Sequence, residues 1–186
     1  MMKCVSTALA ITFVIVPFTI GLSDEPHVAV DRGPGAVEVE ASSPVTSPSP
    51  KEARRQAEIL HEAMHATLQL VHHRYYREDE GLPLPAATLN DVFAELEKEQ
   101  HVKLRWLAVE GQVMNSDHKP RDEFENEAAK ALKMGKQAYE RVENGVYRRA
   151  GPITLTNHCL KCHVPDRKTT DNRTAGLIVA IPIKEK

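Results

Sequence analysis

The most informative motif in this sequence is the run from Cys159 to His163, which reads C-x-x-C-H. Two thiols at this spacing can add to the two vinyl groups of one haem, and the histidine that follows then binds the iron. A disulfide or a zinc ribbon would use the same cysteines. However, no βαβ unit precedes them, and no second pair of cysteines is left for zinc. The motif therefore predicts one covalent haem c at Cys159 and Cys162, with His163 as an axial ligand.

A second motif, H-E-x-x-H, is formed by His61, Glu62 and His65. On a helix this pattern binds zinc through both histidines and uses the glutamate as a general base, so it predicts a zinc-dependent hydrolase as an alternative. The longer pattern H-E-x-x-H-x-x-G-x-x-H is not met, because Leu68 and Val71 stand where glycine and histidine are needed. A third ligand would have to come from elsewhere. We therefore expect the histidines to serve the haem and Glu62 to be a solvated residue.

Three histidines share one face of the predicted first helix. At about 100° per residue, His61, His65 and His72 fall within about 60° of one another, beside an apolar stripe. We predict that one of them is the second axial ligand of the iron, with His65 favoured, His72 second and His61 third. Met64 or Met114 would be thioether alternatives, and a vacant position would favour gas binding. The competing interpretation is that these histidines are partly buried, hydrogen-bonded residues. The stripe consists of Ala57, Leu60, Met64, Leu68, Val71 and Tyr75.

The first residues are typical of an export signal. A basic start at Lys3 is followed by the apolar run Val5–Leu22, and small residues before Asp24 predict cleavage after Ser23. An uncleaved segment would instead tether the protein to a membrane. Both outcomes predict a periplasmic or otherwise extracytoplasmic protein, in the compartment where c-type haem is attached. The net charge of −2, from 24 basic and 26 acidic residues, offers no footprint for nucleic acid.

The 186 residues predict a signal peptide at 1–23, a disordered proline- and serine-rich linker at 24–50 and one folded domain at 51–186. Apolar spacing of three and four residues predicts helices, and alternating or continuous apolar runs predict strands. The mixture predicts an α+β fold, with a small antiparallel sheet flanked by helices and a long helix at its start. The predicted helices cover 51–78, a short segment from Thr88 or Asn90, and 123–142; the predicted strands cover 102–108, 146–155 and 175–183.

Three segments of the domain carry a recognisable pattern. "YRRAGPITLTNHCLKCH" has a Tyr-Arg…Pro-Ile lead into C-x-x-C-H, "TAGLIVAIPI" is a Gly-containing strand that closes on a proline, and "MNSDHKPRDEFENEAAKAL" contains Asn-x-x-x-x-Pro-x-x-x-Phe-Glu. Together they resemble a family of exported mono-haem c-type cytochromes with a PAS-like sensor fold, long catalogued as a domain of unknown function. The resemblance covers about residues 51–186. The matching positions are Tyr147-Arg148, Pro152-Ile153, Gly176–Pro182, Asn115, Pro120, Phe124 and Glu125.

The resemblance implies a PAS-like sheet flanked by helices, with haem held at its edge. It also implies a role in electron transfer or in sensing redox state or small gases. Two departures from the family pattern stand out. Val164 replaces the usual glycine after the motif histidine, and Cys4, the one cysteine outside the motif, lies in the predicted signal. A cysteine thiolate, which some members use as second axial ligand, is therefore not expected here.

These observations predict a periplasmic mono-haem c-type cytochrome that transfers one electron and is not an enzyme. A haem-based sensor of redox state or of NO, CO or O2 that acts through a partner is the alternative. The expected partner is a redox protein or a small gas, and no pattern specifies an oligomeric state. Candidates to pack on the haem macrocycle are Trp106, Tyr139 and Tyr147. Either Arg148 or Arg149 is a candidate to pair with the haem propionates. We expect His101, His118 and His158 to face solvent.

Overall fold

A computed structural model describes residues 47–184 of this chain. The predicted signal peptide at 1–23, and the predicted linker as far as residue 46, lie outside the described residues. The described part contains four α-helices and a four-stranded antiparallel sheet, which confirms the predicted α+β architecture. No helix in this part is long and apolar enough to cross a membrane.

Helix α1 (Pro50–Arg74) begins at a capping box. The Ser49 hydroxyl accepts a hydrogen bond from the backbone N–H of Glu52 at 3.4 Å, and the Glu52 carboxylate accepts one from the Ser49 N–H at 2.8 Å. A proline in the first turn suits the start of a helix, because its missing N–H would have no partner there. The long first helix is therefore as predicted, but it ends at Arg74 rather than at Glu78.

The two ends of the described chain meet. The backbone N–H of Lys184 donates to the carbonyl of Pro48 at 3.1 Å, just before α1 begins. The residues that enter the first helix and those that leave the last strand are therefore adjacent.

The sheet consists of β1 (Lys103–Leu107), β2 (Tyr139–Glu143), β3 (Val146–Leu155) and β4 (Arg173–Pro182). Its spatial order is β1-β4-β3-β2, and all neighbouring strands are antiparallel. The central strands β3 and β4 pair along their whole lengths of 10 residues each. The shorter β1 and β2 flank them.

Helices cover both faces of the sheet, because the side chains of a strand alternate between its two faces. Leu177 and Val179 of β4 pack in a cluster with residues of α1 and of α2 (Pro85–Gln100). Ile178 between them packs on the opposite face, in a cluster with residues of α3 (Glu123–Lys133). The predicted stripe of α1 contacts the first cluster from Ala57 to Leu68, whereas Tyr75 is 68% exposed.

The predicted helix at 123–142 is wrong in its second half. Helix α3 ends at Lys133, and Gly135 adopts a φ of +83°, in the left-handed region that ends many helices. The chain then forms β2, which joins β3 through a turn at Asn144 and Gly145, both with positive φ. Asn-Gly between two strands is a strong hairpin signal, and here it takes precedence over the helical spacing before it.

Replacing Leu177 by Ala should strongly destabilise the fold. Its side chain is 0% exposed at the centre of β4, so the change removes buried apolar surface and leaves a void. We expect the free energy of unfolding to fall by about 2–5 kcal/mol, measured by chemical denaturation. Leu70→Ala on α1, where the leucine is 52% exposed, is the control and should change it far less. Equal losses in the two variants would contradict the assignment of Leu177 to the core.

Candidate functional site

The C-x-x-C-H motif forms a short helix, α4 (Asn157–His163), directly after β3. Leu160 is fully buried and fixes the inner face of this helix. Cys159 is half-buried and Cys162 is exposed, and both are free thiols. The Sγ of Cys159 lies 3.6 Å from the hydroxyl of Thr156, the residue that precedes the helix. Helix α4 could not be predicted from the sequence, because its 7 residues are too few to show a helical period.

A cavity of about 360 Å³ lies against α4, between α1, the start of α2, β1 and one end of the two central strands. Cys159, Cys162 and His163 all line it, so the structure brings the three predicted haem residues to one site. Much of its wall is apolar, which suits a hydrophobic ligand. Apolar side chains of the wall include Leu68, Ala86, Trp106, Leu107, Ile153 and Leu155.

The imidazole of His163 is partly withdrawn from water. Burial lowers the pKa of His163 below its usual value, which favours the neutral ring that binds a metal. The His163 carbonyl accepts a hydrogen bond from the N–H of Gln112 at 2.7 Å. A Cβ at Gly111, where φ is +82°, would lie 2.7 Å from that carbonyl oxygen and 2.9 Å from Val164 Cγ2. Gly111 therefore makes room for the valine that replaces the glycine typical of the resembled family.

Of the three α1 histidines considered as iron ligands, His61, His65 and His72, only His72 lines the cavity. Its ring centre lies 5.0 Å from that of Tyr76 and 5.4 Å from that of His158, so it belongs to a cluster of rings where α1 approaches α4. His72 is half-buried at this position. Helix α1 therefore contributes one imidazole to the cavity, and α4 contributes those of His158 and His163.

His61 and His65 face β3 instead of the cavity. The buried His61 donates from Nε2 to the carbonyl of Pro152 at 3.1 Å, and the N–H of Thr154 donates to Nε2 of His65 at 3.3 Å. A zinc ion bound by these two Nε2 atoms would have to displace both contacts. Within residues 47–184, no group of three His, Cys, Asp or Glu side chains is placed to hold a metal ion. That His65 binds the iron stays a prediction. The contacts with Pro152 and Thr154 favour the alternative, in which His61 and His65 are partly buried, hydrogen-bonded residues.

His118 was expected to face solvent, but it is half-buried and lines the cavity. Burial, followed by the nearby charge of Arg105, lowers the pKa of His118. Met114 also lines the cavity and is 59% exposed, whereas Met64 packs against the core between α1 and the sheet. The exposed His101 is as predicted. The cavity thus has an imidazole and a thioether from the loop that follows β1.

Arg148 and Arg149 do not line the cavity, so the structure does not support a role for them at haem propionates. Arg148 pairs with Asp122 at 2.7 Å and with Glu143 at 3.0 Å, and Arg149 pairs with Glu140. Their opposite directions follow from the alternation of side chains along β3. Both guanidinium groups neutralise carboxylates of the fold.

Of the three predicted aromatic neighbours of haem, Trp106 alone lines the cavity. It is buried, and its indole Nε1–H donates to the carbonyl of Ala86 at 3.0 Å. Tyr147 is buried in the core with α1, and Tyr139 lies on β2 beside Phe124. Trp106 therefore joins the β1 wall to the start of α2.

The buried carboxylate of Glu125 fixes the loop between β1 and α3. The sequence did not predict this role. Glu125 is 3% exposed and pairs with Arg105, which also donates to the carbonyls of Asp117 and Lys119. The backbone N–H of Arg121 donates to the same carboxylate at 2.7 Å. Because such a buried charge is stable only when paired, these contacts set the path of the loop that bears His118.

Comparisons with known proteins identify a family and a shared fold. A family model described as Tll0287-like matches residues 47–178, which is well over half of the chain. The solved structure of the cyanobacterial haem protein Tll0287 matches with a TM-score of 0.50 and 16% sequence identity. The match covers 74% of this chain and 99% of that one, and it shows a shared fold. No curated protein matches.

Stability should fall in acid through His65. Its Nε2 can accept the Thr154 N–H only while unprotonated, and burial, followed by the charge of His61, lowers the pKa of His65. The unfolded chain, with a histidine pKa of about 6.5, then binds more protons, so this contribution is present above pH 6.5 or so and is lost as pH falls through the folded pKa.

We expect His65→Gln to reduce the slope of the free energy of unfolding against pH on the acid side of about pH 6.5. Urea denaturation at a series of pH values measures it. His73→Gln, at an exposed position of the same helix, is the control and should keep the wild-type slope. An unchanged slope in His65→Gln would refute the contribution of His65 to the pH dependence of stability.

Proposed function

The chain belongs to the Tll0287-like family, and from that premise we propose that it is a haem-binding protein, a mono-haem c-type cytochrome that transfers one electron. Membership confirms the family resemblance that was drawn from the segments around the cysteine motif. The matched solved structure is that of a haem protein. The observation that carries the proposal is that two free thiols and an imidazole of one short helix line the same largely apolar cavity.

The residues present fit a covalent haem. Cys159 and Cys162 are free to form the two thioethers, and His163 presents a ring whose lowered pKa favours the metal-binding form. The apolar wall at Trp106 and Ile153 would exclude water from the macrocycle. When bound, haem supplies an iron that exchanges one electron. The exposed Cys162 marks a side of the site that is open to a partner.

For the second axial position we propose His72. Its support is its place in the cavity wall, whereas His61 and His65 contact the backbone of β3. The partners of those two histidines also argue against a zinc-dependent hydrolase. We therefore propose an electron carrier rather than an enzyme. Two histidine ligands would give a lower reduction potential than a histidine and a methionine.

We propose an extracytoplasmic location. Its support is the apolar segment near the N-terminus and the attachment of c-type haem outside the cytoplasm. A redox protein is the expected partner. A vacant second axial position would instead favour the sensor of a small gas, and carbon monoxide distinguishes these two functions.

Loss of the thiols should abolish covalent haem. We expect wild-type protein, exported in a host that attaches c-type haem, to keep haem on a denaturing gel stained for peroxidase activity. Cys159→Ala combined with Cys162→Ala should lose the stain, because no thioether can form. Lys161→Ala, between the two cysteines, is the control and should keep it. An unstained wild-type band would contradict the proposal.

Replacing His72 should open the iron to an external ligand. Wild-type reduced protein should bind carbon monoxide slowly, and His72→Ala should bind it within the mixing time, as followed by absorption spectra. His72→Met should raise the reduction potential by about 0.1 V, within the roughly 0.8 V that axial ligands span.

His73→Ala, next along the helix and outside the cavity, is the control and should behave as wild type. Immediate binding by the wild type would contradict ligation by His72. If His118→Ala alone opened the iron, the second ligand would come from the loop after β1.

A further inference from the structure

Among residues 47–184, no strand pairs with one edge of β3 over its last five residues. β2 pairs with β3 only from Val146 to Ala150, while β4 continues along the other edge as far as Leu155. Alternate residues of a strand direct both backbone polar groups to the same edge. The backbone of residues 151–155 therefore needs other partners on the β2 side, since a buried N–H or carbonyl without one is costly.

Helix α1 supplies these partners from three side chains spaced four residues apart. His61 Nε2 donates to the Pro152 carbonyl at 3.1 Å, Thr154 N–H donates to His65 Nε2 at 3.3 Å, and Gln69 Nε2 donates to the Thr154 carbonyl at 2.7 Å. Pro152 has no N–H of its own to satisfy. Every backbone polar group of these two strand residues on this edge is therefore accounted for.

The spacing follows from the geometry of the two elements. Four residues of an α-helix rise about 6.0 Å, and two residues of a strand advance about 6.6–6.8 Å. Side chains at every fourth helix position can thus follow a strand edge for a short distance. A helix with polar side chains at these positions takes the place of a neighbouring strand.

Gly151 allows the close approach that these contacts require. A Cβ at this position would lie 2.5 Å from the Cδ2 and Nε2 atoms of the His61 ring, closer than side chains pack. The His61 ring thus occupies the space beside the strand where a side chain would stand. Helix and strand are fixed against each other in the register that the hydrogen bonds define.

We infer that His61, His65 and Gln69 are positioning residues, which hold the end of β3 and thereby set the position of the cysteine helix. Thr154 lies two residues before Thr156, whose hydroxyl contacts Cys159 Sγ at 3.6 Å. A shift of Thr154 therefore moves the thiols relative to the cavity. The part of this inference that concerns haem rests on the proposed function, whereas the strand-edge contact does not.

Hydrogen exchange at the Thr154 amide tests the inference. In His65→Leu the acceptor is lost, so we expect exchange of this amide, followed by NMR of the reduced protein, to accelerate at least tenfold relative to that of Val179 in β4. His65→Gln keeps an acceptor and should restore most of the protection. His73→Leu, exposed on the same helix, is the control for the added apolar group.

Haem is the second readout. His65→Leu should shift the absorption spectrum or lower the fraction of protein with covalent haem, and His65→Gln should recover both. If His65→Leu does not fold, Gln69→Leu tests the same strand residue through its carbonyl. Unchanged Thr154 exchange, or equal acceleration at Val179, would overturn the inference. If the wild-type chain never acquires haem but His65→Leu still accelerates Thr154 exchange relative to wild type, the strand-edge contact is supported and the haem function alone is refuted.

Discussion

The pairing of β3 with β4 is the constraint on which the rest of the structure depends. These two strands are in register over their full lengths, so the point where β3 ends fixes where the cysteine helix begins. β4 also positions β1, which contributes Trp106 and Leu107 to the cavity. The loop after β1 returns to β4, where the Thr174 N–H donates to the Glu110 carboxylate at 2.7 Å. The parts of the cavity wall that are not helical are therefore positioned by the pairing of β3 with β4.

The buried ion pairs add a second level of order on the opposite side of the sheet. Glu125 is surrounded by Arg105 and Arg148, and the Arg148 guanidinium also lies 4.2 Å from the centre of the Phe124 ring. A carboxylate this deeply buried is stable only with such partners, so removing one arginine would cost more than the net contribution of the pair. The ion pairs and hydrogen bonds around Glu125 therefore hold the loop at 115–122 against the sheet.

Much of the fold could be predicted from the sequence, because local spacing decides it. The long first helix, β1, β3, β4 and the α+β class follow from apolar periodicity, and the cysteine motif identified three side chains that do share a cavity. The sequence-based predictions are wrong or incomplete where the local structure depends on residues far away along the chain. β2 depends on pairing with β3, and the partners of His61 and His65 are 91 and 89 residues away along the chain. The H-E-x-x-H pattern gave no indication that a strand edge would lie beside it. The cysteine motif likewise could not show that Gly111 makes room for Val164.

The hydrogen bond between Lys184 and Pro48 has a consequence for how this domain can be combined with other chains. A short bridge between these two residues would close the backbone into a ring, and a new opening in an exposed turn, such as the one at Asn144 and Gly145, would give a circular permutant with the same contacts. The same proximity would let the whole unit be inserted into a surface loop of a host protein without forcing the host's flanking residues apart.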